Sequence, residues 1–166
     1  MMRIGQGIDF HRFAKNRKLI IGGLEIDYPL GLLGHSDADV LIHSLCDALL
    51  GALGLGDIGE HFKDSDPQWK DLDSRVILEK TLGLLEKRRY HILNMDLTII
   101  GEEPKFSPYK EDIKENLSCL CKLPKELINI KATTTERMGA LGNKEGLGAV
   151  TIVLIEKKRE DNDPKL

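Results

Sequence analysis

The amino-acid sequence predicts an α+β two-layer sandwich, a mixed sheet of about four strands with helices packed on one face. Three observations lead there. Short β-branched runs alternate with longer amphipathic stretches in the rough order β-β-β-α-α-β-α-β-β. The chain has 166 residues, enough for one domain with a real core and too few for a separate cofactor domain beside a substrate domain. Hydrophobic residues make up 41% and charged residues 31%, a globular balance, while only 5% are aromatic, so the core is expected to be Leu, Ile, Val and Ala.

Residues 3–9 read as a first strand, interrupted by Gly5 and Gly7. Residues 18–21 and 24–26 flank Gly22-Gly23, a hairpin signal. Residues 36–53 carry helical periodicity: Val40, Leu41, Leu45, Ala48, Leu49 and Ala52 form an apolar stripe. Ser36 is a suitable N-cap with Asp39 three residues on, and Gly54 is a suitable stop. A second helix is predicted over 73–88 and a third over 108–120, with Pro108 tolerated in the first turn. Strands are predicted over 92–100, 128–132 and 150–155, the last two separated by a glycine-rich loop. Residues 157–166 are nearly all charged or polar and include Pro164, so a disordered tail is expected there.

The net charge of −3 and the absence of a long basic run argue against a nucleic-acid partner; Lys157, Lys158 and Arg159 are followed at once by acids. An anionic ligand would then need a metal ion or backbone N–H groups for its positive field. Cys46, Cys119 and Cys121 fit neither a disulfide framework nor a C-x-x-C site and are expected to be reduced thiols. The N-terminal residues hold no apolar targeting segment, and no apolar run approaches the roughly 20 residues of a membrane span. No membrane partner and a cytoplasmic location are therefore expected.

Polar residues that can carry chemistry gather beside glycines, which let backbone approach a ligand closely. Asp9 and His11, two apart on an extended chain, point the same way and can share one metal ion; they are equally readable as a surface carboxylate beside a satisfied histidine. His43 lies on the first helix with Asp39 four residues before it and Asp47 four after, on one face. That row either faces solvent or completes a catalytic zinc set with Asp9 and His11, Asp39 or Asp47 then holding the imidazole. Gly34-His35-Ser36 opens the same helix, where N–H groups favour a phosphate unless the turn is merely a helix cap. Thr133, Thr134 and Thr135 offer hydroxyls at a strand end, and Glu136 offers a hard oxygen for a cation on a diphosphate. Residues 54–59 and the acidic Asp64-Ser65-Asp66 supply further loops. His61 and His91 have no partner pattern and read as surface residues, and Trp69 reads as packing.

Taken together, R-I-G-x-G-x-D-x-H-x-F over 3–13, G-L-L-x-H-S-D-x-D-V over 31–40, A-L-L-G-A-x-x-L-G-D-I-G-x-x-F-x-D-x-D-P over 48–67 and the later K-A-T-T-T-E resemble the 2-C-methyl-D-erythritol 2,4-cyclodiphosphate synthase family. The resemblance covers residues 2–156. It implies a single catalytic domain over 1–156 that closes the 2-phosphate of 4-diphosphocytidyl-2-C-methyl-D-erythritol 2-phosphate onto its β-phosphate, releasing CMP, in the non-mevalonate isoprenoid pathway. It implies a homotrimer with active sites between subunits. By position, Asp9, His11 and His43 would bind Zn²⁺, and Glu136 would bind Mg²⁺ or Mn²⁺ on the diphosphate. His35 and Thr134 would stabilise the transition state, and Ser36 would contact substrate. Asp57, Ile58 and Gly59, with Phe62, Asp64, Ser65 and Asp66, would line the methylerythritol phosphate pocket. Pro104 and Lys105 would belong to a cytidine loop over 101–107, and Thr133 and Thr135 would contact substrate. The chain departs from the pattern at Ala140 and Asn143, where a Phe and an Arg are frequent; Lys144 adjoins the latter. Two other functions fit the same residues: a zinc phosphoesterase using bound water on a nucleotide diphosphate, and a non-catalytic trimeric module binding a nucleotide or an isoprenoid diphosphate.

Overall fold

A computed structural model describes residues 1–62 and 72–158 of the chain. Its first strand, β1, runs over Met2–Ala14 without a break. The hairpin follows as β2 (Leu19–Ile21) and β3 (Leu24–Ile26), then β4 (Gly31–Leu32), α1 (Val40–Leu53), the short α2 (Ile58–His61) and α3 (Ser74–Lys87). The second half is β5 (Tyr90–Ile100), α4 (Lys110–Cys121), β6 (Ile128–Thr133), the short α5 (Gly139–Gly142) and β7 (Gly146–Lys157).

The main sheet has five strands in the order β4-β1-β7-β5-β6. Only β5 and β6 are parallel, as their α4 crossover requires; every other pair is antiparallel. The sheet is therefore mixed, as expected, with one strand more than the expected four. The addition, β4, is two residues long, too short to leave an alternation in the sequence. β7 likewise begins at Gly146, inside the segment read as a glycine-rich loop, and continues through Lys157, one residue into the expected tail. Residues 159–166 lie outside the described residues.

Gly5 and Gly7 were expected to interrupt the strand and admit a ligand. They admit a helix instead. A Cβ on Gly5 would stand 1.9 Å from the Ala48 carbonyl oxygen, and one on Gly7 1.9 Å from the Ser44 carbonyl oxygen. α1 thus lies directly on β1 at two side-chain-free positions. Its closeness also brings the Ser44 hydroxyl 2.7 Å from that of Thr151 on β7. Of the fourteen residues of α1, only His43, Asp47 and Gly51 are not buried, one stripe at four-residue spacing.

The helix begins at Val40 rather than at Ser36. Ala38 takes a φ of 57°, which no α-helix accommodates, and Asp39 caps the helix by accepting from the N–H groups of Leu41 and Ile42. Gly54 ends the helix in the left-handed conformation, at the position expected.

α1, α3 and α4 pack together on one face of the sheet, over a core that includes Leu41, Leu45, Leu49, Leu97, Ile99, Ile113 and Val153. The outward-pointing residues of β1 and β7 include Ile4, Ile8, Phe10 and Ile152, 41–70% exposed in the single chain. The three cysteines are free thiols; burial raises the pKa of Cys46 and pushes that of Cys121 up to about 12. No helix among the described residues is long and apolar enough to cross a membrane.

Candidate active site

β1 alternates its side chains, so Asp9 and His11 follow Gly5 and Gly7 on the face that meets α1. The helix turns His43 toward them. Asp9 Oδ2 lies 2.9 Å from His11 Nε2 and 3.1 Å from His43 Nδ1, and the two ring nitrogens are 3.2 Å apart. Four-coordinate zinc with bonds of about 2.0–2.1 Å places its ligand atoms about 3.3 Å apart. The three atoms therefore already stand near the corners of one face of such a tetrahedron, leaving the fourth corner for a ligand.

The hydrogen bonds behind these atoms agree. Asp9 Oδ1 accepts from the Phe10 N–H at 2.9 Å, which leaves Oδ2 for the cluster. His11 Nδ1 lies 2.8 Å from the Leu33 carbonyl oxygen, which can only accept, so Nδ1 donates and Nε2 presents its lone pair. A carboxylate oxygen ringed by imidazole nitrogens calls for a shared cation, and this donor set fits a divalent metal. Burial opposes ionisation of Asp9, yet hydrogen bonds from His11 and His43 hold its carboxyl below the ordinary range. Burial likewise opposes charge on His11, yet Asp9 raises its pKa above 6.5. Among the described residues this is the one group of three or more potential ligands gathered closely enough for an ion.

Asp39 and Asp47, expected as partners of the imidazole, serve other purposes. Asp39 is fully buried; besides capping α1 it accepts from the Gly22 and Gly23 N–H groups at 2.9 and 2.6 Å, fastening the β2–β3 hairpin to the helix start. Burial raises its pKa despite those donors. Asp47 accepts from the Ile58 N–H at 2.7 Å and so positions α2. The groups that meet His43 Nε2 are two hydroxyls, Ser74 Oγ at 2.9 Å and Ser36 Oγ at 3.2 Å. Nothing in the sequence marks Ser74 for this role. It stands 31 residues from His43, and its Asp-Ser setting signals only a helix start, which Asp73 indeed caps.

The turn over 34–39 passes against the cluster: a Cβ on Gly34 would lie 3.3 Å from His11 Cε1. That closeness brings Ser36, 7% exposed, beside His43, while His35 is exposed. Asp57 caps α2 by accepting from the Glu60 N–H at 3.0 Å, Ile58 and Gly59 begin it, and Phe62 is nearly buried behind it. Asp64, Ser65, Asp66 and Trp69 lie outside the described residues. His61 is half-buried rather than superficial; its Nε2 lies 2.8 Å from the Leu55 carbonyl and donates to it. His91 is half-buried too, and its Nδ1 is shielded without a hydrogen-bond partner.

The remaining expected site residues gather at the same end of the sheet, but not at the same strand. Phe10, Gly148, Ile100 and Thr133 form one row across β1, β7, β5 and β6. Three strand spacings separate β1 from β6, roughly 14 Å. There, Thr134 Oγ1 donates to Glu136 Oε1 at 3.0 Å. Glu102 Oε1 accepts from the N–H groups of Thr135 and Arg137 at 3.2 and 3.1 Å, tying the 133–137 turn to the loop that holds Pro104 and Lys105. A single chain thus does not bring Glu136 to the Asp9 cluster. Ala140 and Asn143 are exposed nearby, and Lys144 donates to Glu103 Oε1 at 2.6 Å.

The site can hold one divalent cation with an open position, next to a turn rich in N–H and hydroxyl donors, an arrangement suited to a phosphate-bearing ligand. Comparison with known proteins narrows this. Residues 2–156 match the YgbB family. A 2-C-methyl-D-erythritol 2,4-cyclodiphosphate synthase from Leptospira borgpetersenii is 51% identical over 159 residues, 95% of this chain and 99% of that protein. Among solved structures, IspF from Plasmodium falciparum in a CDP complex superposes with a TM-score of 0.84 at 32% identity, over 95% of this chain and 97% of that one. The bifunctional IspDF from Campylobacter jejuni superposes with a TM-score of 0.91 at 37% identity, over 95% of this chain but 43% of that longer one. With the matched motifs, the Asp-His-His cluster and the fold in agreement over nearly its whole length, the chain belongs to the YgbB family, that of the 2-C-methyl-D-erythritol 2,4-cyclodiphosphate synthases.

Proposed function

We propose that this chain closes 4-diphosphocytidyl-2-C-methyl-D-erythritol 2-phosphate into 2-C-methyl-D-erythritol 2,4-cyclodiphosphate with release of CMP, using the Asp9, His11 and His43 cluster as its metal centre. The observation that carries the reading is that cluster: three donor atoms 2.9–3.2 Å apart, with the 34–36 turn packed beside the two histidine rings. Zinc held there, and magnesium or manganese held at Glu136, would neutralise the diphosphate and polarise its phosphorus centres. The chain's own residues position and screen. His35 and Ser36 donate to the phosphate on the metal side, and Thr134 does so on the leaving side, where each bond strengthens as charge shifts in the transition state. Asp57, Ile58 and Gly59, together with Phe62, Asp64, Ser65 and Asp66, enclose the methylerythritol phosphate. Pro104, Lys105, Thr133 and Thr135 belong to the cytidine side. No side chain is needed as a base, since a phosphate with a second pKa of about 6 is largely ionised at neutral pH.

The same reading makes the protein a homotrimer. Two observations support it. The metal cluster and the Thr134–Glu136 turn stand roughly 14 Å apart in one chain, too far to share one diphosphate, so the second half of each site must come from a neighbouring copy. And the helix-free sheet face presents Ile4, Ile8, Phe10 and Ile152, an apolar patch of the kind monomers seldom leave in water.

The test is direct. Purified protein is incubated with the substrate, Zn²⁺ and Mg²⁺, and the products are followed by phosphorus NMR. Cyclic diphosphate and CMP should appear in equal amounts and cease on chelation. A linear product carrying oxygen from labelled water would instead show a phosphoesterase, and tight binding without turnover would show a non-catalytic module.

A further inference from the structure

The ring of His43 is backed by Ser74, which no quoted motif marks, and through it by Asp37 of the 31–40 motif. Ser74 Oγ lies 2.9 Å from His43 Nε2 and is fully buried at the start of α3. The same hydroxyl donates to Asp37 Oδ1, and Asp37 Oδ2 accepts from the Ser74 N–H at 3.1 Å. We propose that Asp37 and Ser74 are positioning residues for the metal centre, a two-step relay that holds His43 with its proton on Nε2 and its lone pair on Nδ1.

A carboxylate only accepts, so the single hydroxyl proton of Ser74 is directed to Asp37. The lone pair that remains faces His43 Nε2, which must then be the protonated ring nitrogen. Nδ1, 3.1 Å from Asp9 Oδ2 and 3.2 Å from His11 Nε2, is left as the donor to a cation. Ser36 Oγ, at 3.2 Å, already accepts from the Ala38 N–H and is the weaker second acceptor. His11 reaches the same end with a backbone carbonyl, Leu33, as its acceptor. Only His43 is backed by a carboxylate through a hydroxyl, which makes its ring the more basic donor. The pair also connects distant parts of the fold, because Asp37 sits on the turn that carries His35 and Ser36, while Ser74 sits on α3.

The inference rests on the reading of Asp9, His11 and His43 as metal ligands, and the experiment separates the two. Zinc affinity is measured by competition with a chromophoric chelator for the wild type, S74A, D37N, the double variant, S74T and H43A. Losing an outer partner of a ligating histidine typically weakens metal binding by about 10–100-fold, the effect expected of S74A. D37N should weaken it less. The double variant should match S74A within about twofold, because Asp37 acts only through the hydroxyl that S74A has removed. S74T, which keeps the hydroxyl, should remain within about threefold of the wild type. The melting temperature of each metal-free variant reads packing separately, and D37N stands as the test should S74A not fold. Wild-type affinity in S74A, wild-type affinity in D37N, or losses that multiply in the double variant would overturn the relay. Unchanged affinity in H43A overturns the ligand set itself, a different result.

Discussion

One methyl group at Gly7 should separate the two elements that build the metal centre. In Gly7→Ala the new Cβ would stand 1.9 Å from the Ser44 carbonyl oxygen, 2.6 Å from Ala48 N and 2.9 Å from Asp47 Cβ. Two of these neighbours are backbone atoms and cannot rotate away. Since Cβ atoms do not approach others closer than 3.0 Å, α1 and β1 must part by at least 1.1 Å, the difference between 1.9 and 3.0 Å. His43 rides on α1, while Asp9 and His11 ride on β1 two and four residues after Gly7. Metal–ligand distances tolerate only about 0.2 Å, so the three donors could no longer serve one ion together. Zinc affinity should fall at least about tenfold, equivalent to about 1.4 kcal/mol. Overpacking of this kind costs about 1–3 kcal/mol of stability. At about 2–4 °C per kcal/mol for a domain of this size, melting should drop by roughly 2–12 °C. The control is Gly83→Ala on α3, where a Cβ would meet nothing within 4 Å. There the helix interior gains about 0.5–1 kcal/mol, melting should rise, and zinc affinity should stay put. The assays are chelator competition and thermal denaturation. Wild-type zinc affinity and melting temperature in Gly7→Ala would show that the contact between α1 and β1 does not set the ligand geometry.

Three further expectations concern the site and its assembly. Because Asp9 holds the His11 pKa above 6.5, protons compete with the metal from above that pH; zinc affinity measured at pH 8, 7 and 6 should weaken stepwise, and a flat profile would contradict the ligand role. Glu102→Ala leaves the Thr135 and Arg137 N–H groups without their carboxylate, so KM for the nucleotide substrate should rise about three- to tenfold in a CMP-release assay, while Glu102→Gln, which can still accept, should restore it and zinc affinity should not change; wild-type kinetics in the alanine variant would sink the idea. Ile8→Glu places a charge on the open sheet face, where the side chain is 49% exposed in the single chain. It should reduce the particle mass in light scattering and abolish CMP release while zinc still binds; an unchanged mass would argue against the trimer reading.

The legible parts of the fold were those set by local periodicity. The apolar stripe of α1 and its stop at Gly54, the Gly22-Gly23 hairpin and the strands β5 and β6 all follow from spacing along a few consecutive residues. β4 was not legible, being two residues long, and the true length of β1 was obscured because its glycines looked like breaks. The ligand trio was half legible. Asp9 and His11 share a strand face by their spacing alone, and His43 stands out as a polar residue on an apolar helix. That these three meet depends on α1 lying on Gly5 and Gly7, a contact between segments some forty residues apart.

The partners of His43 show where local reading stops. Spacing of four residues put Asp39 and Asp47 on its face of the helix, and both proved to be drawn to backbone N–H groups of the hairpin and of α2. A helix face says which residues look the same way, not what they look at. Ser74 took the place instead, from the start of α3. The residue types of the candidate metal centre and the elements that present them follow from local spacing alone, because strand and helix periods are properties of short stretches of chain. Which acceptor each ring nitrogen meets, and the three strand spacings between the threonine–glutamate turn and the Asp9 cluster, emerge from the packed fold instead. Both depend on which elements pack together and in what order the strands lie, and those choices are made by burial of the whole apolar surface rather than by any one segment.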